Sequence, residues 1–241
     1  MKYNYPFKRI EFWKDPTKSG APDKRIRSCR PEWYLNMENV SELVVSTVGK
    51  YALKKDTILE IGCGTGRNLV ALKKAGYKKV SGIEISEKTV GIGRDHFPMY
   101  KNIPVEIGPA EQLIDDVPET DVIYTVGLLM HIPPEHEGLF AKIAERARKV
   151  IMVIEGESLR ATSEHAWNRE YRSIFEAFGW REVEMETCEK YPPLPQTTVK
   201  RVFIRPEPEV IPVEEVIETE EMIPLDIEVR DVVEEGIEVL E

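Results

Sequence analysis

The chain has 241 residues, 41% of them hydrophobic and 32% charged, a composition of soluble globular proteins with room for one sizeable core. Its net charge of −10 is local: Pro206 to Glu241 hold fourteen Asp or Glu against one Arg, so residues 1–205 carry a mildly basic balance of +3. The longest near-apolar run, Val122 to Met130, is far too short to span a bilayer, and the N-terminus lacks the apolar stretch of a secretory signal, so no membrane partner and a cytoplasmic address are expected.

In chain order, residues 1–30 set nine Lys or Arg against three acids, with Tyr3, Tyr5, Phe7, Phe12 and Trp13 interleaved. Such an arm suits an anionic substrate or nucleic acid, or simply packs its aromatics on the domain. Residues 1–40 therefore read as a basic aromatic extension or lid, to which Trp13, Trp33 and Tyr34 contribute. Residues 41–53 show helical spacing behind a Ser41 cap. An apolar strand from Ile58 then runs into Gly62, Gly64 and Gly66, and a helix follows from Asn68 to Ala75, stopped by Gly76. The alternation continues: strand 80–85, helix 87–96, strand 105–107, strand 121–129, helix 134–148, strand 150–155 and helix 164–178 ended by Gly179. Residues 183–188 and 201–205 are close enough for an antiparallel hairpin at the sheet edge, joined by a proline-rich loop at Tyr191-Pro-Pro-Leu-Pro.

This pattern predicts an α/β fold, a doubly wound sheet that is mostly parallel, with an antiparallel edge hairpin and helices on both faces. The domain is expected over residues 41–205, and the acidic segment 206–241 as a flexible, solubilising tail or a docking segment. Cys29, Cys63 and Cys188 are widely spaced and form neither a disulfide framework nor a metal site, so buried thiols are expected and no metal.

The glycine loop, Glu60-Ile-Gly62-Cys63-Gly64-Thr-Gly66-Arg67, is a ligand cradle, because glycine lets backbone approach a ligand where a Cβ would collide. A dinucleotide fingerprint needs glycine at position 67, and Arg stands there. A carboxylate at Glu60 suits a cationic group far better than a pyrophosphate.

With its acid followed by G-x-G-x-G, the loop resembles the first motif of the class I S-adenosylmethionine-dependent methyltransferases, a Rossmann-like family. The resemblance implies S-adenosylmethionine as cofactor. It also implies contacts at Glu60, Gly62, Cys63, Gly64, Gly66 and Asn68 around the methionine part, with the Glu60 carboxylate helping to hold the amino end. Glu84 and Ile85, ending the second strand, match the ribose site, where two carboxylate oxygens receive two hydroxyls. Gly108-Pro-Ala110-Glu111 resembles the adenine-lining segment, although Glu111 equally suits a helix N-terminus. Val126 and Gly127 fall in the stretch that resembles the motif closing the cofactor pocket. The strand end Thr125-Val-Gly-Leu128 departs from the Asn/Asp-Pro-Pro-Tyr/Phe of enzymes that methylate exocyclic base amines or glutamine amides. His131-Ile-Pro-Pro looks instead like small-molecule methyltransferases, including those associated with nonulosonate (pseudaminic acid) biosynthesis.

His131 lies where doubly wound folds place ligands, as a general base or a structural cap. His165 and Arg169, four apart on the expected helix, and nearby Tyr171 are either substrate-binding groups or polar surface. The sequence thus leads to methyl transfer onto a small molecule, oxygen before nitrogen. A protein or nucleic-acid acceptor, or a non-catalytic cofactor-binding module with a partner-recruiting tail, is the alternative.

Overall fold

Seven strands form one sheet in the order β3-β2-β1-β4-β5-β7-β6. They are β1 (Thr57–Ile61), β2 (Lys79–Glu84), β3 (Val105–Ile107), β4 (Thr120–Val126), β5 (Ala147–Gly156), β6 (Arg181–Thr187) and β7 (Thr198–Ile204). β1 to β5 run parallel, β7 pairs antiparallel with β5, and β6 closes the edge antiparallel to β7. The computed structural model describes residues 12–15, 30–157 and 166–206. The chain divides into units Met1–Pro206 and Glu207–Glu241, and the second lies outside the described residues, as do Cys29, His165 and most of the basic arm. Among the described residues no helix is long and apolar enough to cross a membrane.

The strands owe their sequence to their place in the sheet. β1 and β4 are near-continuous apolar runs because helices cover both faces, and successive residues point to opposite cores. Ile58 packs with Leu43, Val48, Leu69 and Leu72 on one face, and Leu59 with Leu139, Phe140, Ile143 and Phe175 on the other. The first set comes from helices α1 (Glu38–Tyr51) and α2 (Arg67–Lys74), the second from α5 (Gly138–Arg146) and α6 (Tyr171–Ala177). Between them come α3 (Glu87–His96) and the single turn α4 (Ala110–Leu113). β6, at the edge, alternates instead: Val183 and Met185 are exposed, while Glu184 and Glu186 bind the ammonium of buried Lys200 on β7 at 2.7 and 2.6 Å.

Several boundaries differ from the sequence expectation for local reasons. α1 starts at Glu38, three residues before the expected Ser41 cap, with Met37 at its N-cap and no side-chain capping bond. The Ser41 hydroxyl is buried and donates to Asn68 Oδ1 at 2.9 Å, so it joins two helices rather than capping one. β4 stops at Val126, and residues 129–131 and 134–136 form two short 3-10 turns before α5. The last helix starts only at Tyr171, where the Glu170 carboxylate caps it by accepting from Ser173 N at 2.9 Å.

Candidate active site

A cleft of about 370 Å³ opens at the C-terminal ends of the parallel strands, where β1 and β4 are adjacent and the connections diverge to either side. The glycine loop, the ends of β2 and β4, the segment after β3, the β6–β7 loop and residues of the N-terminal segment line it.

The glycines of the loop do different work. Gly64 sits at φ +54, and a Cβ built on it would meet nothing within 4 Å, so its backbone faces open space. Gly66, at φ +72, does not line the cleft; a Cβ there would lie 2.2 Å from the buried Tyr100 ring. Gly66 therefore has a packing role, letting the loop close on Tyr100. Gly62 and Cys63 do line the cleft. The Cys63 thiol lies 3.3 Å from the Tyr100 hydroxyl, and burial pushes its pKa up.

Glu84 is held rigidly at the end of β2. Its Oε2 accepts from Gly64 N at 2.8 Å and its Oε1 from Ser86 N at 2.9 Å, leaving each oxygen a lone pair for a further donor. Burial raises its pKa, and these amide bonds oppose the rise. Ile85, Ala110 and Glu111 continue the lining beyond it.

Glu60 is 1% exposed, and its oxygens accept from Asn68 Nδ2 at 2.7 Å and the Tyr124 hydroxyl at 3.0 Å. Burial pushes its pKa to about 7, against the Asn68 and Tyr124 bonds and the nearby Arg67 charge. Asn68 lines the cleft, yet its side chain is spent inside the network, since its Oδ1 accepts from Arg67 Nη2 at 3.0 Å and from Ser41. Arg67 also lines the cleft and donates through Nη1 to Tyr34 O at 2.7 Å, tying the N-terminal segment to the glycine loop. The sequence reading used Arg67 only to set aside a dinucleotide. The signal was a cation directly after the glycine loop, seven residues from Glu60.

Val126, Gly127 and His131 follow along β4 and its turn, all on the cleft wall. The His131 ring packs against Trp13, centroids 4.8 Å apart and planes tilted by 51°. This turn is clamped by a residue the sequence reading missed. Glu155, fully buried at the end of β5, accepts from Thr125 Oγ1 at 2.8 Å, Leu128 N at 3.0 Å and Met130 N at 3.3 Å. Its signal was an acid closing the apolar run Val150 to Ile154.

Arg169 and Tyr171 are not brought to the cleft lining. Arg169 is buried and donates to Leu129 O at 3.1 Å and Ile132 O at 2.5 Å, with Glu137 2.9 Å away. It braces the turn that carries His131. Tyr171 is fully buried against Phe140. The substrate-binding reading of both is corrected: Arg169 lies before α6, with its guanidinium spent on the carbonyls of the turn, and Tyr171, the first residue of α6, is buried against Phe140. His165 lies outside the described residues.

The residues present fit S-adenosylmethionine: an open glycine backbone, a carboxylate with spare lone pairs for vicinal hydroxyls, and an acid and a guanidinium for a zwitterionic amino-acid end. The fold is shared with a solved methyltransferase that holds S-adenosylhomocysteine. Residues 58–149 match the profile of the methyltransferase-domain family. Ribosomal protein L11 methyltransferase of Thermotoga maritima is 26% identical over 175 residues, 68% of this chain and 64% of that protein, so the chain spans less than two thirds of that relative. Magnesium protoporphyrin IX methyltransferase of Synechocystis PCC 6803, solved with bound S-adenosylhomocysteine, is similar with a TM-score of 0.57 and 18% identity, covering 83% of this chain and 94% of that one. Mitomycin 7-O-methyltransferase gives a TM-score of 0.54 at 16% identity, covering 81% and 60%.

Proposed function

We propose that the chain transfers a methyl group from S-adenosylmethionine to an oxygen of a small-molecule acceptor. The observation that carries this reading is one cleft with the Glu84 carboxylate at one end and His131 on the wall beyond the glycine loop. When bound, the cofactor supplies an electrophilic methyl on sulfur. Glu84 accepts the ribose hydroxyls, Glu111 and the backbone near Ala110 border the adenine, and Gly64 leaves room for the chain between ribose and methionine. Glu60 takes the amino end and Arg67 the carboxylate.

His131 removes the acceptor's proton as the oxygen becomes a nucleophile, and the clamps from Glu155 and Arg169 hold the turn that carries it. The His131-Ile-Pro-Pro resemblance to nonulosonate-associated enzymes and the likeness to a 7-O-methyltransferase support a small acceptor. A protein acceptor is the second reading, favoured by the similarity to an enzyme named for ribosomal protein L11. Incubating an extract with methyl-labelled S-adenosylmethionine and the full chain separates them. Label in the small-molecule fraction is expected; label confined to protein would replace the first reading by the second.

A further inference from the structure

Six lysines gather at the end of the sheet opposite the cleft, on the turn before β1 and around the junction of α2 with β2. Lys54 and Lys55 form the tip of a turn built by Asp56, whose Oδ2 accepts from Leu53 N at 2.9 Å while its own N–H donates to Leu53 O at 3.0 Å. Asp56 itself is buried, its charge met by Lys149 at 2.8 Å. Lys73 and Lys74 close α2, the chain turns at Gly76 (φ +95), and Lys78 and Lys79 follow the buried Tyr77. The two loops meet: Lys79 pairs in register with Thr57, and the Lys54 ammonium lies 3.7 Å from the Tyr77 ring centroid. The dipole of α2 accounts for Lys73 and Lys74 in its last turn but not for the other four. Lys55, Lys74, Lys78 and Lys79 are exposed and form no ion pair among the described residues. Beside them Leu53 is 60% exposed.

We infer that this end of the molecule attaches to the surface of an anionic lipid bilayer. Lysine is a compact charge on a flexible stem, suited to a diffuse negative surface, where each group near the headgroups gains about fivefold in affinity. Leu53 adds apolar area that enters the boundary between headgroups and acyl chains. A nucleic acid is better held by arginine forks and by exposed aromatics that stack its bases. The cations of these loops are all lysine, and their aromatic, Tyr77, is buried beneath Lys54. Position gives the same answer. The cleft lies at the other end of the parallel strands, so a bilayer on this face leaves it open to solution, whereas a macromolecular acceptor held here would be kept away from it. Among the described residues no helix crosses a membrane, and attachment to its surface requires none.

The test is co-sedimentation of the full chain with vesicles of phosphatidylcholine alone and of phosphatidylcholine mixed with phosphatidylglycerol. Retention is expected on the mixed vesicles only, and is expected to disappear at high salt. Lys55→Ala, Lys78→Ala and Lys79→Ala combined are expected to weaken it on the order of a hundredfold, and Leu53→Ser by about fivefold. The three lysines are exposed, so unfolding temperature is expected to stay unchanged in the combined variant. Lys190→Ala, in the β6–β7 loop at the cleft end, is expected to leave retention as it is. No retention on the mixed vesicles, equal retention on the neutral ones, or indifference to the combined variant overturns the inference. Tighter binding of a short single-stranded RNA at the same salt, lost in the same variant, overturns it as well and assigns the face to nucleic acid.

Discussion

Glu60 links burial to ligand chemistry at the level of a single residue. Its carboxyl is pushed from 4.5 to about 7 because burial penalises the charged form more than Asn68 and Tyr124 favour it. A raised carboxyl pKa means that this group's stabilising contribution is fully present below its ordinary pKa and is lost as pH rises through about 7. A cofactor ammonium beside Glu60 reverses the preference, since only the carboxylate attracts it. Affinity for S-adenosylhomocysteine is therefore expected to rise between about pH 6 and 8, with proton release near neutrality. Calorimetry in buffers of different ionisation heat measures both, and Glu60→Gln is expected to flatten the dependence. A wild-type affinity independent of pH would contradict this role.

Two further residues separate binding from chemistry. Glu84→Ala is expected to weaken S-adenosylhomocysteine on the order of a hundredfold, since it removes charge-assisted bonds and the anchor of Gly64 N. His131→Ala is expected to leave that affinity within about twofold and to lower kcat by roughly a hundredfold or more. Turnover unchanged in the His131 variant would remove the base. The candidate residues of the cofactor half were legible because a motif is a backbone requirement plus a charge, and both are written locally. Arg169 and Tyr171 were not: the helix starts only at Tyr171, so helical spacing does not apply to Arg169, and which way Tyr171 turns depends on packing far along the chain.

At the scale of elements, the strand–glycine–helix unit was readable from apolar runs and left-handed turns, while its internal division of labour was not. Gly66 yields to Tyr100, 34 positions away, a contact no local pattern contains. Gly66→Ala is accordingly expected to cost about 1–3 kcal/mol in denaturant unfolding. Gly64→Ala is expected to cost about 1 kcal/mol, from its backbone angle alone, yet to weaken the cofactor severely. Equal stability losses with equal binding would refute the assignment. The turn after β4 was mistaken for more strand because its residues are apolar. Glu155 satisfies its amides and Arg169 its carbonyls, and so they permit it to leave the sheet.

For the molecule as a whole, the order of helices and strands is enough to imply a doubly wound sheet, because parallel strands need crossovers and the connections have one hand. The antiparallel β7 inserted beside β5 was foreshadowed by the short hairpin spacing, although its two basic residues, Lys200 and Arg201, are buried by acids that a linear reading leaves at the surface. The acceptor half stayed unread for a different reason. His131 was legible from its motif, but Trp13 packs on it from more than a hundred residues away and the β6–β7 loop joins the same cleft, contacts that only the fold brings together.

The cleft is expected to take S-adenosylmethionine and not a dinucleotide. Calorimetric titration of the full chain with S-adenosylhomocysteine and, separately, with NAD tests it most directly. Saturable binding of S-adenosylhomocysteine, lost in Glu84→Ala, with no heat from NAD, is the predicted result. Binding of NAD without binding of S-adenosylhomocysteine would contradict it.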